Sequence, residues 1–268
     1  VAMTIILALG MQRILRKNGL VRKLASAETL GSTSIIATDK TGTLTEGKMQ
    51  LAEIVTKGKL VKDLILKIAT LCNEAFIENP EQSMEKWIIR GRPTDKALLL
   101  AGMQAGISKK ELENKMTVIA EIPFNSANKY LARAFSLNKK KDFVYVSGAP
   151  EELLEMSSYF KTGKGEAVLD SKIRKEIKED LDKLTGKGLR VVALGYKKID
   201  NVKDLLSNLI FVGMIGLKDP IRKEVKKAIK IVQEAGMRPI IVTGDHRLTA
   251  KAVAQELWFK LNDQNIME

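Results

Sequence analysis

Cysteine and histidine are almost missing from this chain: Cys72 and His246 are the single examples among 268 residues. One cysteine excludes an internal disulfide and fits a reducing compartment. One histidine leaves no cluster from which a histidine-based metal site or catalytic triad could be built. Aromatic residues make up 5% and do not interleave with the basic ones, which argues against a base-stacking nucleic-acid surface. The apolar run at 1–11, "VAMTIILALGM", is too short to cross a bilayer alone, and without a basic segment before it a signal peptide is not expected.

Positive charge, by contrast, is abundant. Lysine and arginine number 45 against 32 acidic residues, a net charge of +13, so an anionic partner such as a nucleotide, a nucleic acid or a phospholipid surface has to be considered. The basic residues are spread along expected helix faces (Lys223, Lys226, Lys227, Lys230) and turns (Lys139, Lys140, Lys141), as ordinary solvated charge would be. Hydrophobic residues are 45%, enough to bury a sizeable core, and the length suits about two domains. The strongly basic "QRILRKNGLVRK" follows the first apolar run, as it does just inside the cytoplasmic end of a membrane helix. The N-terminus is therefore expected to be the end of a transmembrane helix, with a core helix as the alternative.

Further along, β-branched residues at 34–38 between Gly31 and Asp39 predict a buried strand. Helical patterns follow at 61–74 and at 95–105, the latter preceded by Pro93 and Thr94 and closed by Gly106. The runs "MTVIAEIPF", "NKYLARAFSL" and "DFVYVSG" predict successive strands, the last two joined as a hairpin by a lysine-rich turn at 138–141. Helices at 151–159 and 171–184 precede the strand "LRVVALGY". From Leu209 the pattern alternates. "LIFVGMIGL" is followed by an amphipathic helix with Val225, Ile229, Val232 and Ala235 on its apolar face, then by "RPIIVTGD" and a helix at 249–257. Such βαβ units imply a parallel sheet. The fold class is thus expected to be α/β: a parallel-sheet domain split in sequence, one strand at 34–38 and the rest after Leu209, with an α+β domain inserted.

In a parallel sheet, ligands gather beyond the carboxyl ends of the strands. Asp39 ends one such strand, and Thr243, Gly244 and Asp245 end another. Two phosphate chemistries compete for the loop "DKTGTLTEGKM". From Gly42 onward it satisfies the glycine and lysine spacing of a P-loop, but the position that should carry a magnesium-binding hydroxyl is Met49, and a thioether is a poor ligand for a hard cation. The other chemistry makes Asp39 a nucleophile toward a γ-phosphoryl group, forming an aspartyl phosphate. Small residues around Gly42 let backbone amides close on the phosphate, and the "TGD" loop supplies a hydroxyl and an amide opposite. Taken alone, Asp39 would be an ordinary turn or cap residue; the pairing of the two loops favours the nucleophile.

"DKTGTLTEGKM" closely resembles the phosphorylation loop of P-type cation-transporting ATPases, which share their catalytic fold with haloacid dehalogenase-like phosphotransferases. "GRPTDKALL", "IPFNSANKYLAR", "SGAPEELL", "GLRVVALGY", "GLKDPIR" and "VTGDHRLTAKAVAQEL" resemble further blocks of the type II calcium and sodium/potassium group, in the family's order. The resemblance implies the end of the fourth transmembrane helix and a stalk at 1–24, a split Rossmann-like phosphorylation domain at 25–48 and 209–268, incomplete, and an inserted α+β nucleotide-binding domain on an antiparallel sheet at 49–208. Asp39 would be phosphorylated, Lys40 and Thr43 would assist at the phosphate, and Asp39 with the Thr41 carbonyl would bind magnesium. Thr243 and Gly244 would contact the γ-phosphate with Asp245 nearby. Phe124 matches an adenine-stacking aromatic, Lys129 and Arg190 match basic residues near adenine and phosphate, and Asp95 matches an acid at the adenine edge. Ser147 and Gly148 open the "SGAPE" block of the same pocket, and Asp219 and Arg222 lie where the family hinges the insertion and reaches the nucleotide. Phe124 as simple core and Arg190 as surface charge stay open as alternatives, and His246 is expected to be structural or solvated.

The sequence departs from the family at several points. Ser147 replaces a lysine expected in the ATP pocket, Ala37 a common cysteine, and Trp258 a glycine, while no "GDGxND" or "TGES" string occurs. The function expected is ATP-driven cation transport across a membrane, with this region of a multi-pass membrane protein on the cytoplasmic side. The partners are ATP, magnesium and a transported cation, calcium first, with no nucleic acid. A sodium/potassium- or proton-type pump is the near alternative. A soluble haloacid dehalogenase-like phosphatase would place an acid two residues after the nucleophile, where Thr41 stands instead. A nucleotide-binding module without catalysis is the third possibility, and the chain alone is expected to be inactive.

Overall fold

The computed structural model describes residues 2–58, 61–137, 141–199, 204–244, 247–259 and 266. The chain begins with α1 (Ala2–Leu15), α2 (Leu24–Gly31), β1 (Ile35–Asp39), β2 (Gln50–Thr56), α3 (Val61–Leu71), β3 (Phe76–Ile77), β4 (Ile89–Arg90), α4 (Pro93–Gln104) and α5 (Lys109–Glu113). It continues through β5 (Thr117–Ile122), β6 (Tyr130–Leu137), β7 (Lys141–Gly148), α6 (Pro150–Met156), β8 (Ser157–Lys161), β9 (Glu166–Val168), α7 (Ser171–Gly186) and β10 (Arg190–Ile199). It closes with β11 (Leu209–Lys218), α8 (Val225–Glu234), β12 (Arg238–Val242) and α9 (Arg247–Glu256). Two compact units result: Val1–Leu44 with Arg222–Gly244, and Thr45–Ile221 with Asp245–Glu268.

The larger unit is organised by β11, which carries no charge before Lys218 and is buried along all but that last residue. β10 lies antiparallel on one edge. The other edge is shared end to end: β8 runs parallel over 209–211 and β2 antiparallel over 213–218. Beyond β10 come β7, β6 and β5, all antiparallel, while β9 borders β8. Strand alternation assigns side chains to opposite faces. Leu131 and Phe135 of β6 join Ile68 and Leu98 from α3 and α4, whereas Ala132 and Ala134 join Leu153, Leu181 and Leu184 from α6 and α7. α7 starts where the Asp170 side chain accepts the Ile173 amide at 2.8 Å, and its buried stripe of Ile177, Leu181 and Leu184 keeps helical spacing.

The structure corrects the expected place of the strand at Leu209. β11 belongs to the mostly antiparallel sheet of the larger unit, where β10 and β2 run antiparallel to it and β8 parallel, and it does not join the β1–β12 pair. A continuous apolar run identifies a strand buried on both faces, but says nothing about the direction of its neighbours. The helix expected at 151–159 ends at Met156, where Ser157 Oγ donates to Leu153 O at 2.6 Å and the chain leaves as β8 to pair with β11. The helix expected at 61–74 ends at Leu71. Of the lysine-rich turn, 138–140 lie outside the described residues.

In the smaller unit β1 and β12 pair in parallel, from Ile35 opposite Arg238 to Asp39 opposite Val242. α8 precedes β12 and buries Val225 and Ile229. This pair is what the described residues display of the expected parallel sheet. The strand at 34–38, expected to be buried, alternates between exposed and half-buried residues, with Ile35 51% exposed. Among the described residues no helix is long and apolar enough to cross a membrane.

α3 and α4 approach closely at Gly102, where an added Cβ would collide with Oγ1 of fully buried Thr70. Gly102→Ala is expected to lower stability by about 1–3 kcal/mol through overpacking. In a Thr70→Ala background the same change should cost less, because the Oγ1 clash is gone and only the residue 70 Cβ, 3.1 Å away, stays close. Chemical denaturation of the four proteins in the cycle measures the coupling, and additive effects would show that the two helices do not meet there.

Candidate functional site

β1 ends on Asp39 and the chain then turns sharply, with Thr41 extended (φ −77°, ψ 121°) and Gly42 left-handed at φ 77°. Glycine adopts that conformation without the strain a side chain would bring. Arg222 ties the loop down: its Nη2 donates to Gly42 O at 2.9 Å, and its backbone N donates to Leu44 O at 3.0 Å. Asp39, Thr41 and Thr43 are exposed, whereas Lys40 is buried. Because Asp39 lies opposite Val242, Thr243 and Gly244 emerge at the same carboxyl ends of the two strands. The structure therefore brings together Asp39, the 40–44 loop, Thr243, Gly244 and Arg222. Asp245 and His246 lie outside the described residues.

Asp219, just after β11, has both carboxylate oxygens engaged. Thr45 Oγ1 donates to Oδ2 at 2.6 Å and the Lys48 amide to Oδ1 at 3.1 Å. Next to it the Glu46 amide donates to Pro220 O at 2.9 Å, and Thr45 bridges Ile221. Asp219 here is a clasp between two chain segments.

In the larger unit a second group of residues gathers around the start of α4. Arg92 precedes Pro93, the first residue of that helix, and lies over the Phe124 ring with its guanidinium carbon 4.0 Å from the centroid. Its Nε donates to Asp95 Oδ2 at 2.9 Å, and its Nη2 pairs with Glu74 Oε2 at 3.1 Å. Thr94, next along, accepts from Arg190 Nη1 at 3.4 Å through its hydroxyl, which links α4 to the start of β10. Glu74 is positioned by the end of α3, where Arg133 Nη1 donates to Leu71 O and Asn73 O at 3.2 and 2.8 Å. Lys109 Nζ adds bonds to Asn73 O and Ala75 O at 3.2 and 2.9 Å. Phe124 stays 38% exposed and Asp95 is buried.

Lys129 sits in the turn after Phe124, at φ 58°. The turn is tied by Asn125, whose side chain accepts the amides of Ala127 and Asn128 at 2.9 and 2.7 Å while its carbonyl accepts that of Lys129 at 2.9 Å. Lys129 O in turn accepts the Ala149 amide at 2.9 Å, which brings the turn beside Ser147 and Gly148 at the end of β7. Ser147 is buried. The structure thus groups Asp95 and Phe124 directly through Arg92, places Arg190 on the neighbouring Thr94, and puts Lys129, Ser147 and Gly148 at one strand end. Sequence reasoning missed Arg92 and Glu74; the one local signal was an arginine three residues before an aspartate at a helix start.

The family model of the P-type ATPase cytoplasmic domain N matches residues 62–224, more than half of the chain. The chain belongs to the P-type ATPase family. Over 99% of its length it is 32% identical to a calcium-transporting ATPase of Bacillus subtilis, and over 95% it is 35% identical to calcium-transporting ATPase 1 of Bacillus cereus. It is also 33% identical, over 95% of its length, to the sodium/potassium-transporting ATPase subunit alpha-4 of Rattus norvegicus. It spans about one third of these relatives, 33%, 29% and 28% respectively.

Burial pushes the Asp95 carboxyl above its ordinary value of 3.8, and the hydrogen bond and charge of Arg92 work in the opposite sense. The folded carboxyl keeps its proton to higher pH than the unfolded one, so this group's contribution to stability falls as pH rises through the interval above 3.8. In Arg92→Ala the Asp95 midpoint is expected to move further up, as read from its carboxyl carbon resonance. A midpoint at or below the ordinary value in the unmodified chain would show that burial does not control this group.

Proposed function

We propose that this chain is the nucleotide-binding and phosphate-accepting part of an ATP-driven cation pump. The observation that carries it is the strand register that sets Asp39 opposite Val242, the residue before Thr243, with the loop after Asp39 tied by Arg222. A carboxylate oxygen of Asp39 attacks the γ-phosphorus, the bond to the β-phosphate oxygen breaks, and ADP departs. Lys40, Thr43, Thr243, Gly244 and Asp245 serve the transferring phosphoryl group with donors and charge. Magnesium takes hard oxygen donors, and Asp39 with the Thr41 carbonyl presents oxygen alone; the ion would offset repulsion between carboxylate and triphosphate. Thr41 cannot act as the general acid and base that a hydrolytic relative needs two residues after its nucleophile, which favours a lasting aspartyl phosphate.

ATP is bound by the insertion. Phe124 stacks on adenine, Asp95 faces its edge, and Lys129, Arg190, Ser147 and Gly148 serve the sugar and phosphates. Asp219 holds the segment at 45–48 and Arg222 the loop after Asp39, at the positions where the family resemblance puts the hinge of the insertion. The transported ion is calcium on this reading, supported by the likeness to the calcium-transporting ATPases of the two Bacillus species, with sodium and potassium favoured instead by the rat relative. The protein is a multi-pass membrane protein, α1 is the end of one of its membrane helices, and the remainder lies on the cytoplasmic side.

ATP added to this chain is expected to shift the amide resonances of Phe124, Lys129 and Arg190, and Phe124→Ala to weaken binding by the roughly 1–3 kcal/mol of a lost base stack. Unmoved resonances at all three positions would remove the nucleotide assignment. In the intact pump, acid-stable and hydroxylamine-sensitive label from γ-labelled ATP should vanish in Asp39→Asn. Label that persisted would place the nucleophile elsewhere.

A further inference from the structure

Phe124 and Asp95 have the two properties a bound nucleobase needs, an aromatic face and a carboxylate to accept from an N–H. In the free chain one side chain engages both. The Arg92 guanidinium lies 4.0 Å over the Phe124 ring and donates to Asp95 at 2.9 Å. A guanidinium is flat, stacks on aromatic faces and presents N–H donors at its edge, so it satisfies the same two groups that an aminopurine would. Glu74 offers it a third contact at 3.1 Å, at a residue about one third exposed. The Arg92 side chain is itself 37% exposed. It therefore has a route from the ring toward solvent while keeping an ionic partner.

We infer that Arg92 occupies the nucleobase subsite of its own chain when no nucleotide is bound, and that ATP enters by displacing the guanidinium from Phe124 and Asp95. The inference rests on the nucleotide-site reading of those two residues. Arg92 is then a specificity-determining competitor: a base has to match both its stacking and its donation to Asp95, and apparent affinity is reduced by the fraction of molecules in which the subsite is self-occupied. The pair with Glu74 is partly exposed and therefore weak, and the bond to buried Asp95 is replaced by an N–H of the entering base, so this occupancy is reversible.

The test titrates the full chain with ATP and follows the Arg92 side-chain protons by NMR. In the free chain they should resonate upfield because of the Phe124 ring current, and the shift should be lost at ATP saturation. Arg92→Lys keeps a cation for Glu74 and Asp95 without the flat face, and Arg92→Gln removes the charge; each should bind ATP about two- to fivefold more tightly than the unmodified chain. An upfield shift that survives saturation, or variants that bind ATP equally well or more weakly, would overturn the inference and place Arg92 behind the ring as a support. Absence of ATP binding in the unmodified chain and both variants would instead remove the nucleotide-site reading on which it rests. Unfolding transitions of both variants report whether the fold is retained, and Arg92→Lys decides the matter if Arg92→Gln does not fold.

Discussion

A strand with apolar side chains on both faces can leave neither face nor edge open to water, and β11 imposes that demand on everything around it. Leu209, Met214 and Ile215 are fully buried, each side chain contributing about 1.5–3 kcal/mol by leaving water. α3 and α4 cover one face and α6 and α7 the other, because β6 and its neighbours send alternate residues to each side. The strand's edges are closed by β10 and, end to end, by β8 and β2.

The end of β11 matters as much as its middle. The chain leaves it through Asp219, whose two oxygens are taken by Thr45 and Lys48, so the segment after β1 and the segment after β11 are fastened side by side. Arg222 then holds the carbonyl of Gly42 in the loop that follows Asp39. Two residues matched by the family resemblance to the nucleotide thus have definite work in the chain itself: one clasps, the other shapes a loop.

Around α4 the balance lies between burial and charge. Asp95 is buried, which disfavours its ionised form, and Arg92 offsets part of that cost from a position where it also covers Phe124 and meets Glu74. Arg133 and Lys109 hold the carbonyls on either side of Glu74, those of Asn73 and Ala75. A carboxylate, an aromatic ring and an arginine from three separate stretches of chain are made neighbours by helix ends that other cations hold in place.

Local pattern was enough to find β1 with its terminal Asp39, the strands β6, β7 and β10, and the helix α7, since a period of two or of 3.6 is written within a few consecutive residues. It also brought out "DKTGTLTEGKM" and "TGD" as paired loops. It could not reveal that β11 runs antiparallel to β2 and β10, that Ser157–Lys161 is a strand, or that Arg92 lies on Phe124. Those facts depend on partners far apart in the chain, such as Thr45 and Asp219, 174 residues from each other. Periodicity and motif are local, so most of the long elements and the two candidate phosphate loops could be read from consecutive residues; which strands pair and which charges meet could not, because hydrogen-bond partners and buried faces are chosen only when the sheet assembles.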